Sequence, residues 1–253
     1  MKKSYRGTFL IITLIILLVV FIVLLSTGNY EFKKTYEPPT ALSEILPRFR
    51  LIDLDNLPVK TDKNRNSSND SKDIVIGAKK QLEIGSKNIF IEGSGESNYY
   101  KGGDPPQDWA ICTDIVARSF KEAGYDLREI INEDISENFD EYPLRKLWGQ
   151  TRPDIDIDYR RIQNMEVFFK RKAQNLTRVF DPASSENLDS WLPGDVVFFD
   201  MDKNGFSDNA GIISDTTARN GSPKVIFNYI EPGYTVQDNI LSKEAITGHY
   251  RYP

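Results

Sequence analysis

Cysteine and histidine are each represented once in the 253 residues, by Cys112 and His249. A single thiol rules out an internal disulfide framework. One Cys and one His fall short of the three or four protein ligands that a zinc centre needs. The chain has no GxxxxGK phosphate loop and no strand-bound GxGxxG, so nucleotide chemistry of those kinds is excluded and no cofactor is expected. Basic patches interleaved with aromatics are also missing. The formal net charge is −5, which argues against nucleic acid as a partner.

The longest apolar stretch is Phe9 to Leu25, preceded by Lys2, Lys3 and Arg6. Extended by Thr8 and Ser26, it is long enough to span a bilayer. It lacks a small-x-small cleavage site, and no cysteine follows it to take a lipid. We read residues 1–7 as cytoplasmic and 8–26 as a signal anchor, with the remainder outside the cell by the charge rule. Of the 32 basic residues, 29 remain after the anchor, against 37 acidic ones.

Residues 27–73 read as a tether. Pro38 and Pro39 interrupt it, and Lys60–Asp73 contains no apolar residue, the composition of a flexible linker. A domain is expected over 74–253. Apolar spacing predicts a helix from Ile74 that stops at Gly85, a second over Cys112–Gly124 and a third over Asn164–Leu176. Tyr142–Arg161 reads as a long ordered loop. Strands follow within Trp191–Met201, Asn209–Asp215 and Lys224–Ile230. Helices first and consecutive strands later predict an α+β domain with an antiparallel sheet.

The cysteine opens the second helix, after a stretch broken by Gly102, Gly103, Pro105 and Pro106. A thiol at a helix N-terminus lies where unpaired N–H groups favour its anion. That placement suits a nucleophile and an adjacent oxyanion site. The same residue also falls on the helix's apolar stripe, where it would be a small core hydrophobe. Asp114 suits the first helical turn as a cap, and Asp104 lies in the loop before it. Arg160 and Arg161 are placed either to hold a ligand carboxylate or to make structural ion pairs. Trp109 suits the wall of a cleft or the core. Asp154, Asp156 and Asp158 alternate, but without the glycine and closing glutamate of a calcium loop.

Taken in order, YYKGGDPP, CTDIVARSFKEAGYDL, RPDIDIDYRRIQNMEVFF, PGDVVFF, GIISD and ITGHYRY resemble the bacterial domain of unknown function 1287 over about Tyr99–Tyr252. That family is similar to the papain-like NlpC/P60 superfamily. The resemblance implies a cysteine at the start of a helix packed on an antiparallel sheet. It also implies a histidine base at the start of a strand, a third polar residue on the next strand, and amide bonds of wall peptide as substrate. The cysteine carries over to Cys112. The histidine position holds Asn209. In the next block Phe227 replaces a histidine and Asn228 is kept; two further family histidines are replaced by Asn132 and Tyr159.

An amide side chain cannot exchange a proton near neutral pH, whereas such transfer is worth about 10²–10⁴-fold in rate. Three readings follow. The first is a degenerate papain-like domain that binds peptidoglycan or an envelope protein. The second is a working thiol hydrolase with Asp208, Asp215 or His249 as base, or one that acts on an easier ester or thioester. The third is a structural cysteine in an unrelated binding protein. His249 itself is expected to pin the last strand, out of hydrogen-bond reach of Cys112.

Overall fold

The computed structural model describes residue 50, residues 52–89 and residues 99–253. The anchor expected over 8–26 and the tether up to residue 49 lie outside the described residues. No helix among the described residues is long and apolar enough to cross a membrane. All of them belong to the unit Pro47–Pro253.

The helix expected from Ile74 begins earlier. Helix α1 covers Asp70–Ile84, because the Asn69 side chain caps it by accepting Lys72 N–H, and it ends on Gly85 at φ 63°. The stretch expected to be a flexible linker is a hydrogen-bonded turn. Asp62 accepts the N–H groups of Asn66 and Ser67, and Asn64 donates to Asp73 and to the Glu122 carbonyl. Its lack of apolar residues reflects bonding within a polar turn.

Two short strands, β1 (Lys87–Asn88) and β2 (Trp109–Ala110), pair in parallel and lead into α2 (Cys112–Glu122). Helices α3 (Leu127–Glu137) and α4 (Leu144–Trp148) follow, then α5 (Ile162–Lys172), β3 (Gln174–Asn175) and the short α6 (Ser185–Leu188). The expected Tyr142–Arg161 loop therefore contains α4 and a 3-10 turn at Asp158–Arg160. Strands β4 (Val196–Asp200), β5 (Asn209–Thr217), β6 (Pro223–Asn228), β7 (Thr235–Asp238) and β8 (Ala245–Arg251) complete the chain.

The main sheet has the order β3-β8-β4-β5-β6-β7 and every pairing is antiparallel. The α+β expectation agrees with this architecture. Strand β4 is buried along its whole length, and its side chains alternate between two cores. Val196 and Phe198 pack with Ala210, Ile212, Ile226 and the helices. Val197 and Phe199 pack with Ile213, Val225, Phe227 and Trp191 on the other side. Gly211 lies where β6 approaches closely: a Cβ there would stand 2.5 Å from Val225 Cγ1.

Candidate site around Cys112

Cys112 is the first residue of α2, behind the extended N-cap Ile111. No side chain of Ile111 can cap the helix. Asp114 does so from within, accepting Ile111 N–H at 2.9 Å. Its carboxylate is held in turn by Arg160, Nε at 2.8 Å and Nη2 at 2.9 Å, with both side chains fully buried. Thr113 Oγ1 donates to the Arg160 carbonyl at 2.9 Å. The turn carrying the thiol is thus tied to the 158–160 turn through the two residues that follow Cys112. Arg160 belongs to this structure and is not available for a ligand carboxylate.

The thiol is buried, and burial pushes it up to about 12. The Ala210 and Thr113 N–H groups favour the anion, while the charges of Asp114 and Asp208 oppose it. The helix terminus was expected to stabilise a thiolate. It does contribute, but desolvation outweighs it. Cys112 packs in the helix-side core, as its place on the apolar stripe allowed.

Asn209 is fully buried at the start of β5, opposite Phe199 of β4. Its Nδ2 donates to Met201 Sδ at 3.1 Å, and its Oδ1 has no partner among the described residues. Its neighbour Ala210 turns the other way and offers its N–H to the thiol. Asn228 lies in a separate network. Its Nδ2 donates to the Ser86 carbonyl at 2.8 Å and Thr235 Oγ1 at 3.1 Å, and its Oδ1 accepts from Asn88 at 2.6 Å. The fold brings Cys112 to the Asn209–Ala210 segment and employs Asn228 to fasten β1 to β6 and β7.

The candidate bases are distributed unevenly. His249 stacks on Trp191 with ring centroids 4.0 Å apart. Its Nδ1 lies 2.8 Å from the Thr177 carbonyl and its Nε2 3.1 Å from Asp195 Oδ2. Asp195 also takes two bonds from Arg251, at 2.7 Å each. Asp215 is paired with Lys79 at 2.6 Å. Asp208 is the one of the three whose charge acts on the thiol. Burial raises its own carboxyl, and Tyr229 lies against it.

The remaining polar candidates have structural partners. Asp104 binds Arg118 at 2.7 Å, and Arg118 also gathers the carbonyls of Pro105 and Trp109. Arg161 lies over the Trp148 ring at 4.2 Å and pairs with Asp158. Asp156 pairs with Arg128, so the alternating acids point to separate partners. Trp109 is 45% exposed, which removes it from the core. Sequence reasoning missed a closer carboxylate group, Asp200, Asp202 and Asp208, which bring one oxygen each to within 4.8 Å of one another. The spacing DMDKNG was the available signal. Asp200 there accepts Asn204 and Gly205 N–H, and Asp208 accepts Met201 and Asp202 N–H.

The model of the family described as "Domain of unknown function (DUF1287)" matches residues 75–252. Uncharacterized protein YijF of Escherichia coli (strain K12) is 35% identical over 212 residues, 84% of this chain and 96% of that protein. Among solved structures, NlpC1 from Trichomonas vaginalis aligns with a TM-score of 0.40 at 14% identity, over 76% of this chain and 47% of that one. NlpC2 from the same organism aligns at 0.37 and 11% identity, over 79% and 50%. This chain spans about half the length of those two proteins.

Proposed function

The chain belongs to the DUF1287 family, and on that premise we propose that it is a membrane-anchored, extracytoplasmic papain-like domain that binds wall material without cleaving it. The observation carrying this reading is the state of Cys112. Its sulfur sits at a helix N-terminus over an antiparallel sheet, yet burial holds it protonated and no imidazole attends it. The strand position that would supply a base holds an amide bonded to a thioether. Without a base there is neither a thiolate at neutral pH nor a proton for a leaving amine. In this reading the domain serves recognition, with peptidoglycan or an envelope protein as ligand.

Co-sedimentation with insoluble peptidoglycan tests this. The full chain in detergent is expected in the pellet, and Cys112→Ala is expected there equally. Wild type remaining wholly in the supernatant would remove peptidoglycan as the ligand.

A second reading is favoured by Asp208, whose raised carboxyl acts electrostatically on the thiol. In it, Asp208 replaces the histidine and Cys112 attacks an ester or thioester, where the leaving group needs less help from an acid. An Asp208→Asn variant would then lose all hydrolysis.

A further inference from the structure

We propose that Trp109, Lys87 and Tyr234 form a platform for the sugar chain of wall material, with alternate pyranose rings stacked on the two aromatic side chains. This surface deepens the reading above, on which it rests, by assigning the glycan and not the peptide as the part that is held. Trp109 and Tyr234 are 45% and 49% exposed, although large aromatic rings gain most from burial.

The strand register sets the three side chains in a row. Lys87 of β1 lies opposite Trp109 of β2 and, on its other side, opposite Tyr234 just before β7. Residues directly opposite one another across paired strands share a face. Here that face is the outer one: Lys87, Trp109 and Tyr234 are exposed, while their chain neighbours Ser86, Ala110 and Thr235 are buried. Two strand spacings put the backbones under the two rings about 10 Å apart. Alternate rings of an extended chain of linked hexosamines are separated by a similar distance.

Both rings stand on fastened backbone. Arg118 Nη1 donates to the Trp109 carbonyl at 3.0 Å, and Lys87 N–H donates to the Asp108 carbonyl at 2.7 Å. Beside Tyr234, Thr235 N–H donates to the Ser86 carbonyl at 2.9 Å, and Asn88 N–H donates to the Gly233 carbonyl at 2.8 Å. Beneath them the Asn228 carboxamide joins Ser86, Asn88 and Thr235. Exposed Trp and Tyr rings on backbone held this firmly lose little conformational freedom when a ligand settles on them.

The chemistry of the surface selects the occupant. The C–H face of a pyranose ring is apolar and weakly positive, and it meets the negative face of an aromatic quadrupole. Lys87, between the rings, donates to hydroxyl and carbonyl oxygens at the edges of the sugars. The same lysine divides the apolar surface, so an apolar helix or a lipid tail would bury its charge. Asp108, next to Trp109, and Glu231, in the segment leading to Tyr234, are exposed and disfavour a polyanion. An uncharged, hydroxyl-rich chain with flat apolar faces meets all of these conditions.

Calorimetric titration of chitohexaose, a soluble oligomer of N-acetylglucosamine, into the full chain in a sugar-free detergent tests the platform. Wild type is expected to bind it saturably. Trp109→Ala and Tyr234→Ala are each expected to weaken binding about tenfold. Phe206→Ala, which removes an exposed ring from the β4–β5 turn, is expected to leave binding unchanged. Circular dichroism checks that each variant is folded, and if Trp109→Ala is not, Tyr234→Ala carries the comparison. No saturable heat in wild type overturns the proposal. So does a folded Trp109→Ala or Tyr234→Ala that binds as wild type does, or an equal loss in Phe206→Ala. A sugar-free stem peptide that gives the heat chitohexaose does not give would assign the surface to peptide instead. The two readings fail separately. Wild type that pellets with peptidoglycan but gives no heat with chitohexaose loses this surface alone. Wild type that gives heat without pelleting keeps it and loses peptidoglycan as the ligand.

Discussion

Cys112 and His249 lie in cores on opposite faces of one sheet. The thiol packs with Ala210 and Phe198 on the helix side, and the imidazole stacks on Trp191 with its strand partner Val197 in the far core. The chain therefore holds both residue types of a thiol–imidazole pair and keeps them apart. His249→Gln is expected to leave Cys112 reactivity unchanged. Losing the Asp195 contact should cost about 1–3 kcal/mol of stability, read from urea denaturation. A changed alkylation rate at Cys112 in the folded variant would contradict the separation.

Alkaline titration should report on the buried thiol. A group whose folded value is raised loses protons first in the unfolded chain. The unfolded state then binds fewer protons, so stability falls as pH rises. The window runs from the ordinary thiol value near 9 to about 12. Several buried tyrosines act in the same direction, so the measurement is the difference between wild type and Cys112→Ala. Wild type should lose stability faster over that window. Parallel curves would show that the thiol ionises freely.

The Asp114–Arg160 pair makes a sharper prediction. Arg160→Met leaves Asp114 buried and unpaired, at an expected cost of about 3–5 kcal/mol. The Asp114→Leu, Arg160→Met double variant should lose less than Arg160→Met alone. Denaturant midpoints of wild type, Asp114→Leu, Arg160→Met and the double variant decide it. Additive losses would mean that the pair is not coupled.

Gly211 tests the close approach of β5 and β6 beside Ala210. Gly211→Ala drives a methyl toward Val225 Cγ1 at 2.5 Å and the Ile226 carbonyl at 2.7 Å. Overpacking of this kind costs about 1–3 kcal/mol. A variant as stable as wild type in urea would show that the strands separate easily there.

Much of the fold was legible because its helices carry clear stripes. Cys112, Ile115, Val116 and Phe120 marked α2, and short apolar runs set off by turn residues marked β4, β5 and β6. The β7 strand was not legible, since Thr235–Asp238 is short, and β8 was expected only as a last strand around His249, without bounds, because His249 and Arg251 are polar residues inside it. The position of Cys112 was legible from the Gly and Pro residues before it. Its ionisation was not, because desolvation depends on Ala210 and Phe198, remote in sequence. Asn228 was assigned to the site by its place beside Phe227, yet Ser86, Asn88 and Thr235 claim its side chain, and those contacts span up to 142 residues. The 60–73 stretch was read from composition as a linker, and composition cannot reveal side chains converging on Asp73.

The most direct measurement of the central claim is amine release from purified peptidoglycan, comparing the full chain with Cys112→Ala at neutral pH. The account predicts no release above buffer for either protein. Release by wild type that disappears in Cys112→Ala would contradict it, and would identify Cys112 as a working nucleophile.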